Sequence, residues 1–272
     1  MAEENVELRG EIVVSQSEAK EVAQMYTNLR RKCEEAGLRE SWEEIKDCAK
    51  MVDASMTKQD NEGRLVRKTR GNDELGLTHP MSVASKSIDI AKRHPDLVTL
   101  NDELVEAALF HDFFEDFDKA VGVFNVRYPG SRVKAIRVMG VAMDVTKATA
   151  LDRRVDDETE EQFAQRKSAF EAKMSDKAEK IRVKDDEDTK LLENVTARAE
   201  AGDFRPMVIK IADRIHNLET IGGLKPEAID RTLAQTRAEF IPLAIRFGLI
   251  KEAEEMMMMC NAAAEKRLNN TR

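Results

Sequence analysis

The chain has 272 residues, enough for one large domain with a core of its own or for one domain with appendages. Only 12 glycines, 6 prolines and 5% aromatic residues stand against 35% charged ones, a balance that favours helices over sheet. The net charge of -8 argues against nucleic acid as the main partner. No run of about 18 apolar residues offers a membrane span, MAEENVELRG has no signal-peptide pattern, and Cys33, Cys48 and Cys260 lack metal or redox spacing. A soluble all-α protein with free thiols, at home in a reducing cytoplasm, is therefore expected.

Residues 1-14 read as frayed. The stretch 16-35 predicts an amphipathic helix capped at Ser15 or Ser17, and a second helix covers about 40-56, with Trp42, Ile45 and Met51 on it. Residues 57-77 read as a polar loop with Gly63, Gly71 and Gly76 and a basic cluster at Arg64, Arg67, Lys68 and Arg70. HPMSVA (79-84) starts the next helix: Pro80 suits its first turn and leaves the His79 imidazole at the helix mouth. His94, in AKRHPD, falls at a helix end before Pro95 and reads as a surface residue. A further helix, apolar over 104-110, runs into HDFFED (111-116), and 118-141 reads as one or two helices broken at Pro129-Gly130.

Charge of both signs fills 152-200, which predicts long exposed helices around 157-182 and an acidic turn at 185-188. VIKIADRIHN (208-217) is an apolar helix with Val208, Ile211, Ala212, Ile215 and Leu218 inward and Asp213 and Asn217 on one face. A turn at Gly222-Gly223, a helix over 226-247 and a last helix over about 249-267 complete the chain. Met256 to Met259 with Leu268 form an apolar patch suited to core packing or a dimer contact, since thioethers prefer soft ions.

The chemistry concentrates at HDFFED. This hexapeptide reads as a single helical turn, on which His111, Asp112, Glu115 and Asp116 fall within an arc of roughly 140°, with 111/115 and 112/116 stacked one turn apart. Three acids that close repel one another unless a cation lies among them. His79 and Asp213 have the matching character, since an acid on so apolar a helix needs a partner. His79, His111, Asp112 and Asp213 make a two-histidine, two-carboxylate set suited to manganese, iron, zinc or a similar divalent ion. His216 points about 60° away from Asp213 in projection and reads as structural or supporting.

In that order the motifs HPMSVA, AALFHDFFED (107-116), VTK (145-147), IKIADRIHN (209-217) and KPEAIDRTLAQTRAEFIPLAIRFGL (225-249) resemble the HD phosphohydrolase superfamily. Within it they are similar to the hydrolase domain of the RelA/SpoT-homologue proteins, over about residues 60-250. The resemblance implies an HD-domain helical bundle over 57-250, with 152-200 as a charged variable segment. An N-terminal helical extension (1-56) and a C-terminal helix (251-272) flank it. It implies a small stand-alone enzyme of the stringent response that hydrolyses the 3′-pyrophosphate of the guanosine alarmones ppGpp and pppGpp, with manganese as the usual ion. Carried over residue by residue, His79, His111, Asp112 and Asp213 hold the metal, and Glu115 and Asp116 orient and deprotonate the attacking water.

Arg67 and Lys68 match an arginine-lysine pair that packs on the guanine base, and Asn217 and Lys147 are candidates for the ribose or phosphates. Lys210, Arg153 and Arg154 are weaker phosphate candidates, and Arg214 is read equally well as an ion-pair former. The family's tyrosine before the first histidine is replaced here by Leu75-Gly76-Leu77. That departure leaves two alternatives open: a related hydrolase of another nucleotide such as ppApp or NADPH, or a non-catalytic nucleotide-binding regulator.

Overall fold

In the computed structural model the described residues are 15-59, 65-69, 75-114, 120-146 and 177-270, with 159, 161, 162, 164, 165, 168 and 169 between them. The expected frayed segment at 1-14, the helices expected over 157-176 for the most part, and Glu115, Asp116, Lys147, Arg153 and Arg154 lie outside the described residues.

Helix α1 (Gln16–Glu35) begins where Ser15 Oγ accepts the Glu18 N–H at 3.2 Å, which satisfies one of the donors a first turn leaves open. After α2 (Trp42–Ser55) comes the first departure from expectation. Instead of a loop, β1 (Thr57–Gln59) pairs antiparallel with β2 (Leu65–Arg67) in a two-stranded hairpin. The alternation Leu65-Val66-Arg67 carries a β pattern too short to stand out among polar neighbours. Its end is tied down by Lys68 N–H to Met56 O and Gly76 N–H to Lys68 O, both 2.8 Å. A Cβ on Gly76 would sit 3.2 Å from that Lys68 carbonyl, so the close approach suits glycine. The chain then enters α3 (Thr78–Arg93), placing His79 directly beside the hairpin's exit.

Helix α4 (Asp102–Leu109) is capped by Asn101 and buries every residue from Leu104 onward. It ends at Leu109, and residues 110-114 turn away from the helical path. The one-turn stacking expected for 111-116 on a continuing helix is thus not what holds His111 and Asp112. Aromatic anchors hold them instead: Phe110, Phe113 and Phe114 sink into a cluster with Phe124 and Tyr128.

Pro129-Gly130 does separate two helices, α5 (Ala120–Arg127) and α6 (Arg132–Val145). Beyond them α7 (Lys177–Glu200) runs unbroken through 185-188, where an acidic turn was expected. Charge repulsion along a solvated face does not end a helix that lacks glycine and proline and buries Leu191 and Val195. Gly202, at φ 91°, reverses the chain into α8 (Arg205–Glu219).

A short 3-10 turn (Ile221–Gly223) leads to the helical stretch expected over 226-247. It comprises α9 (Pro226–Gln235), one wide π turn (Thr236–Phe240) and α10 (Ile241–Arg246). Helix α11 (Ile250–Asn270) closes the chain. In the methionine patch Met256 is fully buried, whereas Met258 and Leu268 are exposed. No described helix is long and apolar enough to cross a membrane.

Helix α3 lies at the centre, packed against α1, α4 and α8; α4 packs on α2 and α6, and α11 covers α8. His94, expected at the surface, instead meets the wholly buried Glu252 of α11 at 2.9 Å beside Arg93. Its position at the C-terminal end of α3 is where a cation is favoured.

One buried cation carries much of the electrostatic load. Lys134 Nζ lies 2.9, 2.7 and 2.8 Å from Glu44, Asp102 and Glu106, joining α6 to α2 and α4. Burial lifts the Glu106 carboxyl to about 7, against the downward pull of Lys134 and a hydrogen bond from Tyr128. Lys134→Met should cost about 3–5 kcal/mol at neutral pH, read by urea unfolding, because it strands these acids. Since the folded pKa of Glu106 is raised, its contribution to stability is full below about 4.5 and lost as pH rises through about 7. Glu106→Gln should therefore flatten the stability profile between pH 5 and 8.

Candidate metal centre

Three elements distant in sequence meet here. His79 comes from the first turn of α3, His111 and Asp112 from the turn after α4, and Asp213 from the middle of α8. His79 Nε2 lies 2.9 Å from His111 Nε2, 3.1 Å from Asp112 Oδ2 and 3.3 Å from Asp213 Oδ1. His111 Nε2 lies 3.2 Å from Asp112 Oδ1 and 4.0 Å from Asp213 Oδ1. Both imidazoles are buried, as is Asp213, while Asp112 retains some exposure.

These spacings can be set against an ion's requirements. Donors about 2.0–2.2 Å from a divalent cation stand roughly 3 Å apart when adjacent in an octahedron and about 3.4 Å apart in a tetrahedron. Most of the observed separations match, so the nitrogen and carboxylate donors fit a borderline ion. Two Nε2 atoms at 2.9 Å also cannot both direct lone pairs at each other without a proton or a cation between them.

Electrostatics supports the same conclusion. Burial by itself would lower the His79 imidazole, but the bonds and charges of Asp112 and Asp213 outweigh it and carry the pKa up to about 9. Burial would raise both carboxyls, yet each is held well below the usual range, Asp112 chiefly by His111 and His79 and Asp213 chiefly by Lys210 and His79. The acids are thus charged, and they favour a compensating positive charge at His79 Nε2, whether a proton or a cation.

Several residues support the site, and of these only His216 was read from the sequence in a structural or supporting role. His111 Nδ1 donates to Ala108 O at 2.7 Å, and Thr146 Oγ1 reaches the His111 carbonyl at 3.1 Å. Lys210, considered above for a phosphate, directs Nζ at Asp213 Oδ2, 2.8 Å away. His216 Nδ1 lies 2.9 Å from His79 Nδ1. Their i−3 and i+3 spacing from Asp213 was the available signal, since both share its side of the helix.

Of the residues expected at the substrate, Asn217 donates from Nδ2 to Asp213 Oδ1 at 2.7 Å and so lies beside the centre. Arg67 is held by Asp53 of α2 through Nε and Nη2, at 2.7 and 2.8 Å, and by Glu18 of α1 through Nη1 at 3.0 Å. Lys68 follows it on a backbone fixed at both N–H and carbonyl. Arg214 does not form the ion pair considered for it in any bond seen among the described residues; it stacks 3.9 Å over the Phe240 ring and donates to Gln235.

A second acidic group, Glu44, Asp102 and Glu106, has comparable spacing, but the Lys134 ammonium already fills it. In the His79 group no described lysine sits among the donors in that way, so the cluster could hold a divalent metal.

No family model matches the chain. It is similar to the guanosine-3′,5′-bis(diphosphate) 3′-pyrophosphohydrolase of Haemophilus influenzae, 30% identical over 180 residues, which is 66% of this chain and 20% of that protein. It is likewise similar to the bifunctional (p)ppGpp synthase/hydrolase SpoT of Escherichia coli, 28% identical over 182 residues, 67% of this chain and 20% of the relative. A probable enzyme of the first name from Synechocystis is 45% identical over 51 residues, 19% of this chain and 7% of that protein. The chain spans about a fifth of the length of the first two.

Calorimetric titration with manganese should detect one tight site per chain. Asp213→Asn and His111→Ala should each weaken it by more than about a hundredfold, beyond the loss expected for an outer partner of a ligand.

Proposed function

We propose that the chain is a hydrolase of guanosine alarmones: it adds water across the bond between the ribose 3′ oxygen and the pyrophosphoryl group of ppGpp or pppGpp, giving GDP or GTP and pyrophosphate. The convergence of His111, Asp112 and Asp213 on His79 Nε2, each within 3.3 Å, carries the reading. The names of the relatives from Haemophilus influenzae and Escherichia coli support the substrate.

His79, His111, Asp112 and Asp213 would hold a divalent cation, with manganese the expected ion. Bound there, such an ion supplies a Lewis acid that activates water near neutral pH and offsets phosphate charge. The protein's own groups do the remainder. Glu115 and Asp116 follow directly on the anchored turn and are proposed to orient the attacking water and take its proton. Asn217, one turn after Asp213, is proposed to meet the ribose or its phosphates, and Lys147 to steady phosphate charge.

Arg67 is proposed to serve the nucleobase through its plane. Two carboxylates engage all three of its nitrogens and neutralise its charge, which leaves little attraction for an anion but keeps a flat, fixed guanidinium suited to stacking. Lys68 is the partner proposed for the adjoining ribose-phosphate edge.

Incubation with manganese and ppGpp, pppGpp, ppApp or NADPH, read by chromatography of the products, tests the reading. Release of pyrophosphate from the guanosine alarmones is expected, abolished by chelation or by Asp112→Ala. Glu115→Gln should keep manganese affinity while kcat falls by about a hundredfold or more. Normal turnover by that variant would remove Glu115 from proton transfer, and turnover confined to ppApp or NADPH would replace the substrate.

A further inference from the structure

The two imidazoles and the Asp213 carboxylate each have a second polar atom that points away from the shared cluster, and what meets that atom decides which way the group faces. For His111 the backbone decides. Ala108 O can only accept, so His111 Nδ1 carries the hydrogen and Nε2 presents its lone pair to His79, Asp112 and Asp213.

For His79 a side chain does the same work. The two Nδ1 atoms of His79 and His216 stand 2.9 Å apart, both rings buried and inclined to each other by 61°. Two lone pairs at that distance repel and two N–H groups collide, so one proton lies between them. With His79 Nε2 facing the donors, that proton belongs to His79 Nδ1 and His216 Nδ1 accepts it. His216 then carries its own hydrogen on Nε2, and its ring is a neutral acceptor rather than a further ligand.

Asp213 follows the same logic with charge. Lys210 Nζ lies 2.8 Å from Oδ2, which leaves Oδ1 as the atom facing the imidazoles at 3.3 and 4.0 Å. Asn217 also bonds Oδ1, but a carboxylate oxygen has a second lone pair to offer. Lys210 and His216 stand three residues before and three after Asp213, so a single helix supplies one ligand and fixes the orientation of two.

We propose that His216 and Lys210 are positioning residues of the metal centre: His216 sets the tautomer of His79 so that Nε2 coordinates, and Lys210 engages Asp213 Oδ2 so that only Oδ1 does. The assignment rests on the metal reading given above and is independent of the substrate named there.

Manganese titration of the full chain, with thermal melts of the metal-free protein alongside, tests it. His216→Ala should weaken affinity by about 10- to 100-fold, the range typical for losing the outer partner of a histidine ligand. His216→Asn, whose amide oxygen can reach the position of Nδ1, should recover most of that loss. Lys210→Met should weaken binding by about tenfold on the same basis. In the zinc-loaded protein, nitrogen-15 spectra should show His79 protonated at Nδ1, and His216→Ala should broaden or shift that signal.

Wild-type manganese affinity in His216→Ala, or in Lys210→Met, overturns the role of the residue replaced. Equal weakness of the alanine and asparagine variants with unchanged melting also overturns the His216 role, as does an Nε2–H tautomer of His79. If the wild-type chain binds neither manganese nor zinc, the metal reading falls and this assignment with it. If it binds them and hydrolyses no alarmone, only the substrate proposal fails.

Discussion

Two carboxylates, each within 4.0 Å of two imidazole nitrogens that stand 2.9 Å apart, form the constraint on which this structure turns. Left without positive charge, such a group is strongly unfavourable, because low dielectric magnifies the repulsion between acids. The fold therefore has to supply rigidity enough to hold these donors together. It does so by burying apolar residues around each one: Met81, Val83 and Ala84 after His79, Phe110 and Phe113 around His111, and Ile211, Ala212 and Ile215 beside Asp213. Helices α3 and α8 pack on each other, and the turn after α4 closes the third side.

Two acidic groups flank α4, and the protein treats them differently. At its start, Asp102 and Glu106 join Glu44 around Lys134, so the compensating cation is part of the chain and the cluster ties three helices together. Beyond its end, Lys210 neutralises one outward oxygen of Asp213, but among the described residues no lysine stands between the donors themselves. Partial compensation of this kind keeps the acids ionised while leaving their inner lone pairs directed at a common point. The same principle applies at Arg67, where Glu18 and Asp53 remove the charge and preserve the geometry, linking the first two helices to the hairpin beside His79.

Much of this was legible in the residues. Ser15 capping, the break at Pro129-Gly130 and the apolar face of the Asp213 helix all depend on neighbours within one or two turns, and each occurs as read. Errors arose where nonlocal contacts decided. The strands at 57-59 and 65-67 exist because they pair with each other, and Lys68 just beyond them bonds Met56 and Gly76, a gain no single segment advertises. His94 looked solvated because its partner, Glu252, is 158 residues away. HDFFED looked like a helical turn because its spacing allows one, whereas the described residues 110-114 leave the α-helix after Leu109, where Phe110 and Phe113 are buried in the aromatic cluster.

The sequence alone determined the helical class and the kinds of donor at 79, 111, 112 and 213, since composition, periodicity and ligand chemistry are properties of residue type and spacing. Tertiary structure alone decided which atoms of those donors face one another. Orientation follows from partners brought close only by packing: Ala108 O and His216 for the imidazoles, Lys210 for the carboxylate, and the aromatic cluster for the turn between them.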